Sequence, residues 1–98
     1  MPEYADQIAA LVHYVQNEFP DHDVWDTWDG DRSAHTVSVE ISPGGVLLLT
    51  ASFEFLSDYD PGQVTRLLNT WTAADVLREA GPTKRLLVTR DGCSVTNR

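Results

Sequence analysis

The stretch Val37-Ser38-Val39-Glu40-Ile41-Ser42-Pro43-Gly44-Gly45-Val46-Leu47-Leu48-Leu49-Thr50-Ala51-Ser52-Phe53-Glu54-Phe55 decides the fold. Apolar and polar residues alternate at Val37, Val39 and Ile41, the period of a half-buried strand. Pro43-Gly44-Gly45 supplies a turn, after which Leu47, Leu49, Ala51, Phe53 and Phe55 fall on one face of a second strand. The other face of that strand carries Val46, Leu48, Thr50, Ser52 and Glu54. Its gradient from apolar to polar predicts a sheet face that is only partly covered. Leu49 and Phe53, with Leu67 from a later helix, are expected in the core.

Toward the N-terminus, Pro2 suits a first helical turn, and Tyr4, Ile8, Leu11, Val12, Val15 and Phe19 recur at helical spacing up to Phe19-Pro20. This predicts an amphipathic helix over 3–18. Residues 21–32 mix Val24, Trp25 and Trp28 with five aspartates and Gly30, which suggests a short edge strand running into a turn. Toward the C-terminus, Asp60-Pro61 is an N-cap followed by proline at N1, and Val64, Leu67, Leu68 and Trp71 follow at helical spacing. A helix over 61–70 is predicted. Thr72 and Asp75 resemble a capping pair for a further piece over 73–80, closed by Gly81-Pro82. Residues 84–90 are β-prone, Asp91-Gly92 is a tight-turn signal, and residues 93–96 return as a last strand. The expected order is α-β-β-β-α-β-β, a single two-layer α+β domain of 98 residues with an antiparallel sheet and two main helices on one face.

Fifteen acidic against seven basic side chains give a net charge of −8. The imbalance is uneven: residues 1–71 hold twelve acids and only Arg32 and Arg66, whereas Arg78, Lys84, Arg85, Arg90 and Arg98 fall in the remaining tail. Such a balance argues against general nucleic-acid affinity and against anionic membranes, and favours a protein partner with a basic surface. No stretch approaches the length of a membrane span. Met1-Pro2-Glu3 opens without a basic or apolar leader, and Cys93 is the only cysteine. Cytoplasm is therefore the expected compartment, with no disulfide and no thiolate zinc cage.

Leu68-Asn69-Thr70-Trp71-Thr72, followed by Lys84, a β-prone run and Asp91-Gly92, resembles the YbjN-type family, whose fold is similar to that of type III secretion chaperones. Asn69 and Trp71 match that family's Asn-x-Trp-Asn element, and Thr72 stands where its second Asn is expected. The resemblance implies an interaction or chaperone-like role, often as a homodimer, with no chemistry attached. Read from the residues alone, Asn69 is a polar helix residue beside a core anchor, Trp71.

Asp21, His22, Asp23, Asp26, Asp29 and Asp31 form the most unusual local feature. The spacing Asp26-x-x-Asp29-Gly30-Asp31 departs from the EF-hand pattern and lacks its closing Glu, so no metal or other cofactor is expected. Trp25 and Trp28 either fill the core or present aromatic anchors inside the acidic rim of Asp26, Asp29 and Asp31. His13, His22 and His35 show no diagnostic spacing, and Cys93 lacks an evident activating partner. The expectation is a non-catalytic protein-interaction domain, chaperone- or adaptor-like, binding through Trp25, Asp26, Trp28, Asp29, Asp31, Asn69 and Trp71. The alternative is an acidic inhibitor or immunity-type protein that masks a basic target. A third reading takes the two late helices and the basic hairpin with Lys84, Arg85 and Arg90 as a winged-helix-like DNA-binding unit, opposed by Asp75 and Glu79 on its would-be recognition helix.

Overall fold

The computed structural model describes residues 4–97; the first-turn role of Pro2 and the basic Arg98 lie outside the described residues. The elements run α1 (Ala5–Glu18), β1 (Asp23–Asp29), β2 (Ala34–Ser42), β3 (Gly45–Ser52), α2 (Phe53–Asp58), α3 (Pro61–Thr70), α4 (Ala73–Ala80), β4 (Lys84–Thr89) and β5 (Gly92–Asn97). The fold is α+β, with one open five-stranded sheet in the order β1-β2-β3-β4-β5. Three of its pairings are antiparallel, but β3 and β4 run parallel, so the sheet is mixed rather than purely antiparallel. The reason lies in the connection. The helical segment between β3 and β4 returns the chain to the end where β3 began, as a parallel pair requires.

Register sorts the side chains. Val37 lies opposite Leu49 and Val39 opposite Leu47, while Leu49 and Ala51 sit beside Leu86 and Val88. This row is buried and forms one core with Ile8, Leu11, Val15, Phe55, Leu68 and Leu77 from the helices, so all four helices serve the same face of the sheet. Ile41, expected in the row, is exposed where the register shifts between Glu40 and Ser42. On the helix-free face, Thr36 and Thr50 pair their hydroxyls at 2.9 Å, and Arg85 Nη1 donates to Thr50 Oγ1 at 2.6 Å. The polar end of the predicted gradient is therefore roofed by a guanidinium from β4.

The predicted second strand stops early. Ser52 has extended backbone (φ −67, ψ 154), and its Oγ accepts from the Phe55 amide at 3.2 Å, so it is an N-cap that turns the chain into α2. Residues i and i+2 of a helix are about 200° apart around the axis, so Phe53 and Phe55 cannot share a face there. Phe55 is fully buried and Phe53 is 38% exposed, which corrects its placement in the core. Leu67 is half-buried, on the flank of α3, whereas Val64 and Leu68 are fully buried.

The start of α3 is as its sequence predicts, with a reciprocal capping box between Asp60 and Gln63. Thr72 differs. It adopts a left-handed conformation (φ 50, ψ 45) and makes no side-chain cap, its hydroxyl donating instead to the Trp71 carbonyl at 2.7 Å. Asp75, the other half of the expected capping pair, holds Arg78 at 3.0 Å. A β-branched residue at positive φ is strained. Thr72→Gly is accordingly expected to stabilise the domain by about 0.5–1 kcal/mol, read as a higher urea midpoint at unchanged slope. Thr72→Ala should bring no comparable gain, and an equal gain from both would mean that the left-handed conformation is not the source.

Candidate functional site

Strand β1 forms one edge of the sheet, pairing among the described residues with β2 alone. Its sequence, Asp-Val-Trp-Asp-Thr-Trp-Asp, is exposed at five of seven positions. The pairing with β2 is regular from Asp23 opposite Glu40 to Asp29 opposite Ala34. Side chains alternate across a strand, so Val24, Asp26 and Trp28 share the helix side with His35, Val37 and Val39, whereas Asp23, Trp25, Thr27 and Asp29 look to the helix-free side. The two tryptophans flank the edge from opposite faces, 45% exposed at Trp25 and 49% at Trp28. Of the two sequence readings for them, the exposed one describes this geometry.

The carboxylates have distinct duties. Asp26 bonds His35 Nε2 at 2.5 Å across the strand pair, and the His35 side chain is only 6% exposed. The other ring nitrogen, Nδ1, is buried without a hydrogen-bond partner. The Trp28 and His35 rings approach to 6.2 Å between centroids. Asp29 closes the β1–β2 turn: its Oδ1 accepts from the Asp31 and Arg32 amides at 3.1 and 3.3 Å, and its Oδ2 pairs with the Arg32 guanidinium at 3.1 Å. That side-chain bond to Arg32 is the main reason the Asp29 carboxyl titrates below the usual carboxylate range. The carboxylates of Asp23 and Asp31 take part in no hydrogen bond or ion pair among the described residues. Charge is thus fixed by structure at two positions and free at two others.

A shallow depression of about 420 Å³ adjoins the edge on the helix-free face, with Thr27, Asp29, Asp31, Thr36, Ser38 and Arg85 in its wall. It is mixed in charge, cationic toward β4 and anionic toward the turn.

Asn69 and Trp71 belong elsewhere. Asn69 is exposed, and its Nδ2 donates to the Thr65 carbonyl one turn back. Trp71 is half-buried at the end of α3, with its ring 5.9 Å from that of Phe55. The fold brings Trp25, Asp26, Trp28, Asp29 and Asp31 together on β1 and its turn, and leaves Asn69 and Trp71 in the helical layer. Sequence reasoning missed one member of the site, because His35 meets Asp26 only once the β1–β2 register is known; Asp23, already singled out within the acidic stretch, opens the strand beside Val24.

Among the described residues no three of His, Cys, Asp and Glu converge in a metal-binding group, and no helix is long and apolar enough to cross a membrane. Burial pushes the Cys93 thiol up, which keeps it protonated and weakly nucleophilic near neutrality. The basic residues of the β4–β5 hairpin do not project as a separate wing, because β4 lies inside the sheet between β3 and β5. Arg90 pairs with Asp58 at 3.0 Å, and Arg78 stands 4.6 Å over the Phe19 ring while pairing with Asp75. Comparison with protein-family models, with curated proteins and with solved structures gives no match.

Proposed function

We propose that this protein is a non-catalytic protein-interaction domain, adaptor- or chaperone-like, that engages a partner with a basic surface through the β1 edge and its turn. The observation that carries the reading is the exposure of Trp25 and Trp28 on an unpaired edge strand that also holds Asp23, Asp26 and Asp29. Large aromatics left in water cost hydrophobic free energy that a partner recovers, and tryptophan is the residue type most enriched at binding hot spots. The surrounding carboxylates supply the rim that accelerates encounter with a cationic surface. The resemblance of Asn69 and Trp71 to the YbjN-type element favours the chaperone side of this reading. A reducing cytoplasm suits the lone thiol of Cys93. An inhibitor masking a basic target would use the same surface with tight one-to-one stoichiometry.

The test uses the partner captured from native lysate by the immobilised protein and identified by mass spectrometry. Trp25→Ala and Trp28→Ala are each expected to weaken its binding more than tenfold, mainly through faster dissociation. Neutralising Asp23 and Asp31 to Asn should slow association and flatten its salt dependence while leaving the turn intact. Wild-type affinity in both tryptophan variants, with unfolding midpoints also unchanged, sinks the assignment. Tight binding of duplex DNA at physiological salt would revive the winged-helix reading in its place.

A further inference from the structure

We propose that the outer edge of β1 receives an extended, Lys/Arg-bearing segment of the partner as a sixth strand of the sheet. This rests on the interaction reading above and adds the form of the partner's binding segment.

Sheet edges are usually blunted by proline, lysine, a bulge or a very short strand, because their unpaired N–H and C=O groups template further pairing. β1 has none of these devices. It is seven residues long, contains no proline or lysine, and its register with β2 is unbroken, a register shift lying instead between Glu40 and Ser42 on the other side of β2. The only gatekeepers are carboxylates, at Asp23, Asp26 and Asp29.

Negative gatekeepers select rather than simply block. In the fully overlapped antiparallel pairing of two β1 strands, Asp26 would meet Asp26 and Asp23 would meet Asp29, acid against acid at every charged position. Like charges directly opposite destabilise a strand pair. A second copy of this chain is therefore the wrong occupant for the edge, and a cationic strand is the right one. The faces add a preference. Asp23, Trp25 and Asp29 lie together on the helix-free side, whereas Asp26 on the helix side is engaged by His35. An incoming strand with cations on alternate residues places them beside the first set, where they meet carboxylates and the Trp25 ring face, which attracts cations. Backbone bonds supply affinity in such strand addition and alternate side chains supply specificity.

The probe is the heptapeptide Lys-Thr-Lys-Thr-Lys-Thr-Lys, with the Glu-Thr analogue as its control. Titrations at low ionic strength are combined with amide hydrogen exchange of β1. The Lys-Thr peptide is expected to bind at least tenfold more tightly than the Glu-Thr peptide and to slow exchange at alternate β1 amides, those facing outward, by more than tenfold at saturation. Binding without slowed exchange in β1 would overturn strand addition while leaving the basic-partner reading in place. No preference for the cationic peptide would overturn both. Exchange that slows with protein concentration alone would assign the edge to a second copy, again overturning the proposal.

Discussion

Phe55→Ala is expected to destabilise the domain by about 3–5 kcal/mol, while Phe53→Ala, two residues away, should cost only about 0.5–1.5 kcal/mol. Phe55 is fully buried, with ring centroids 5.4 Å from Tyr59 and 5.9 Å from Trp71. Truncation opens a cavity where α2 and the end of α3 meet over the sheet. Among the described residues Phe53 has one ring partner, Tyr4 at 5.3 Å, and it is 38% exposed, so its loss removes an edge contact and leaves no enclosed void. Urea unfolding monitored by circular dichroism measures both, with the midpoint shift at constant slope read as stability. Equal costs would mean that residues 53–55 continue β3 instead of opening a helix after Ser52.

Tyr14→Phe is expected to cost about 1–3 kcal/mol, a large effect for the loss of one oxygen. The Tyr14 hydroxyl accepts from the Ala74 amide at 3.0 Å and donates to the Leu68 carbonyl at 3.4 Å, joining α1 to the junction of α3 and α4. Because Thr72 makes no side-chain cap for α4, the hydroxyl from α1 satisfies an N-terminal amide of α4 that its own N-cap leaves open. Phenylalanine keeps the ring and strands that buried donor. Burial, chiefly, raises the Tyr14 pKa above the ordinary tyrosine range. A raised folded-state pKa means that the stabilisation is complete below the unfolded value near about 10 and is lost as pH rises through the folded value. The gap in stability between wild type and Tyr14→Phe should therefore be constant at neutral pH and narrow above about pH 10. A gap that widens in alkali would show the hydroxyl to be ionised in the folded protein.

The readable parts of this chain were those where local chemistry and burial agree. Asp60 and Pro61 mark the start of α3 within one turn, and Val37, Val39, Leu47 and Leu49 repeat at the strand period on either side of a turn, the pattern of a hairpin. The alternation through Ala51, Phe53 and Phe55 misled because Ser52 and Glu54 between them are polar both on a strand's solvent face and in a helix's first turn. The parallel pairing of β3 with β4 was implicit in the long helical connection, yet nothing in either strand's residues declares its neighbour. For the site, the spacing of Trp25 and Trp28 was more telling than it looked. Residues three apart on a strand point to opposite faces, so an edge strand could bury at most one of them. The Asp26–His35 bond depended on register, which no single strand encodes.

The parallel junction also bears on the order in which the sheet comes together. β1, β2 and β3 meet through short turns and can zip from neighbour to neighbour, but β4 meets β3 only after residues 53–83 have been drawn into a closed loop. The entropy of closing that loop is met before its strand contacts repay it, and topologies rich in such distant pairings fold slowly. The seam where Leu49 meets Leu86 is thus the strand contact of the sheet that closes the longest stretch of chain, and the one whose formation costs the most loop entropy.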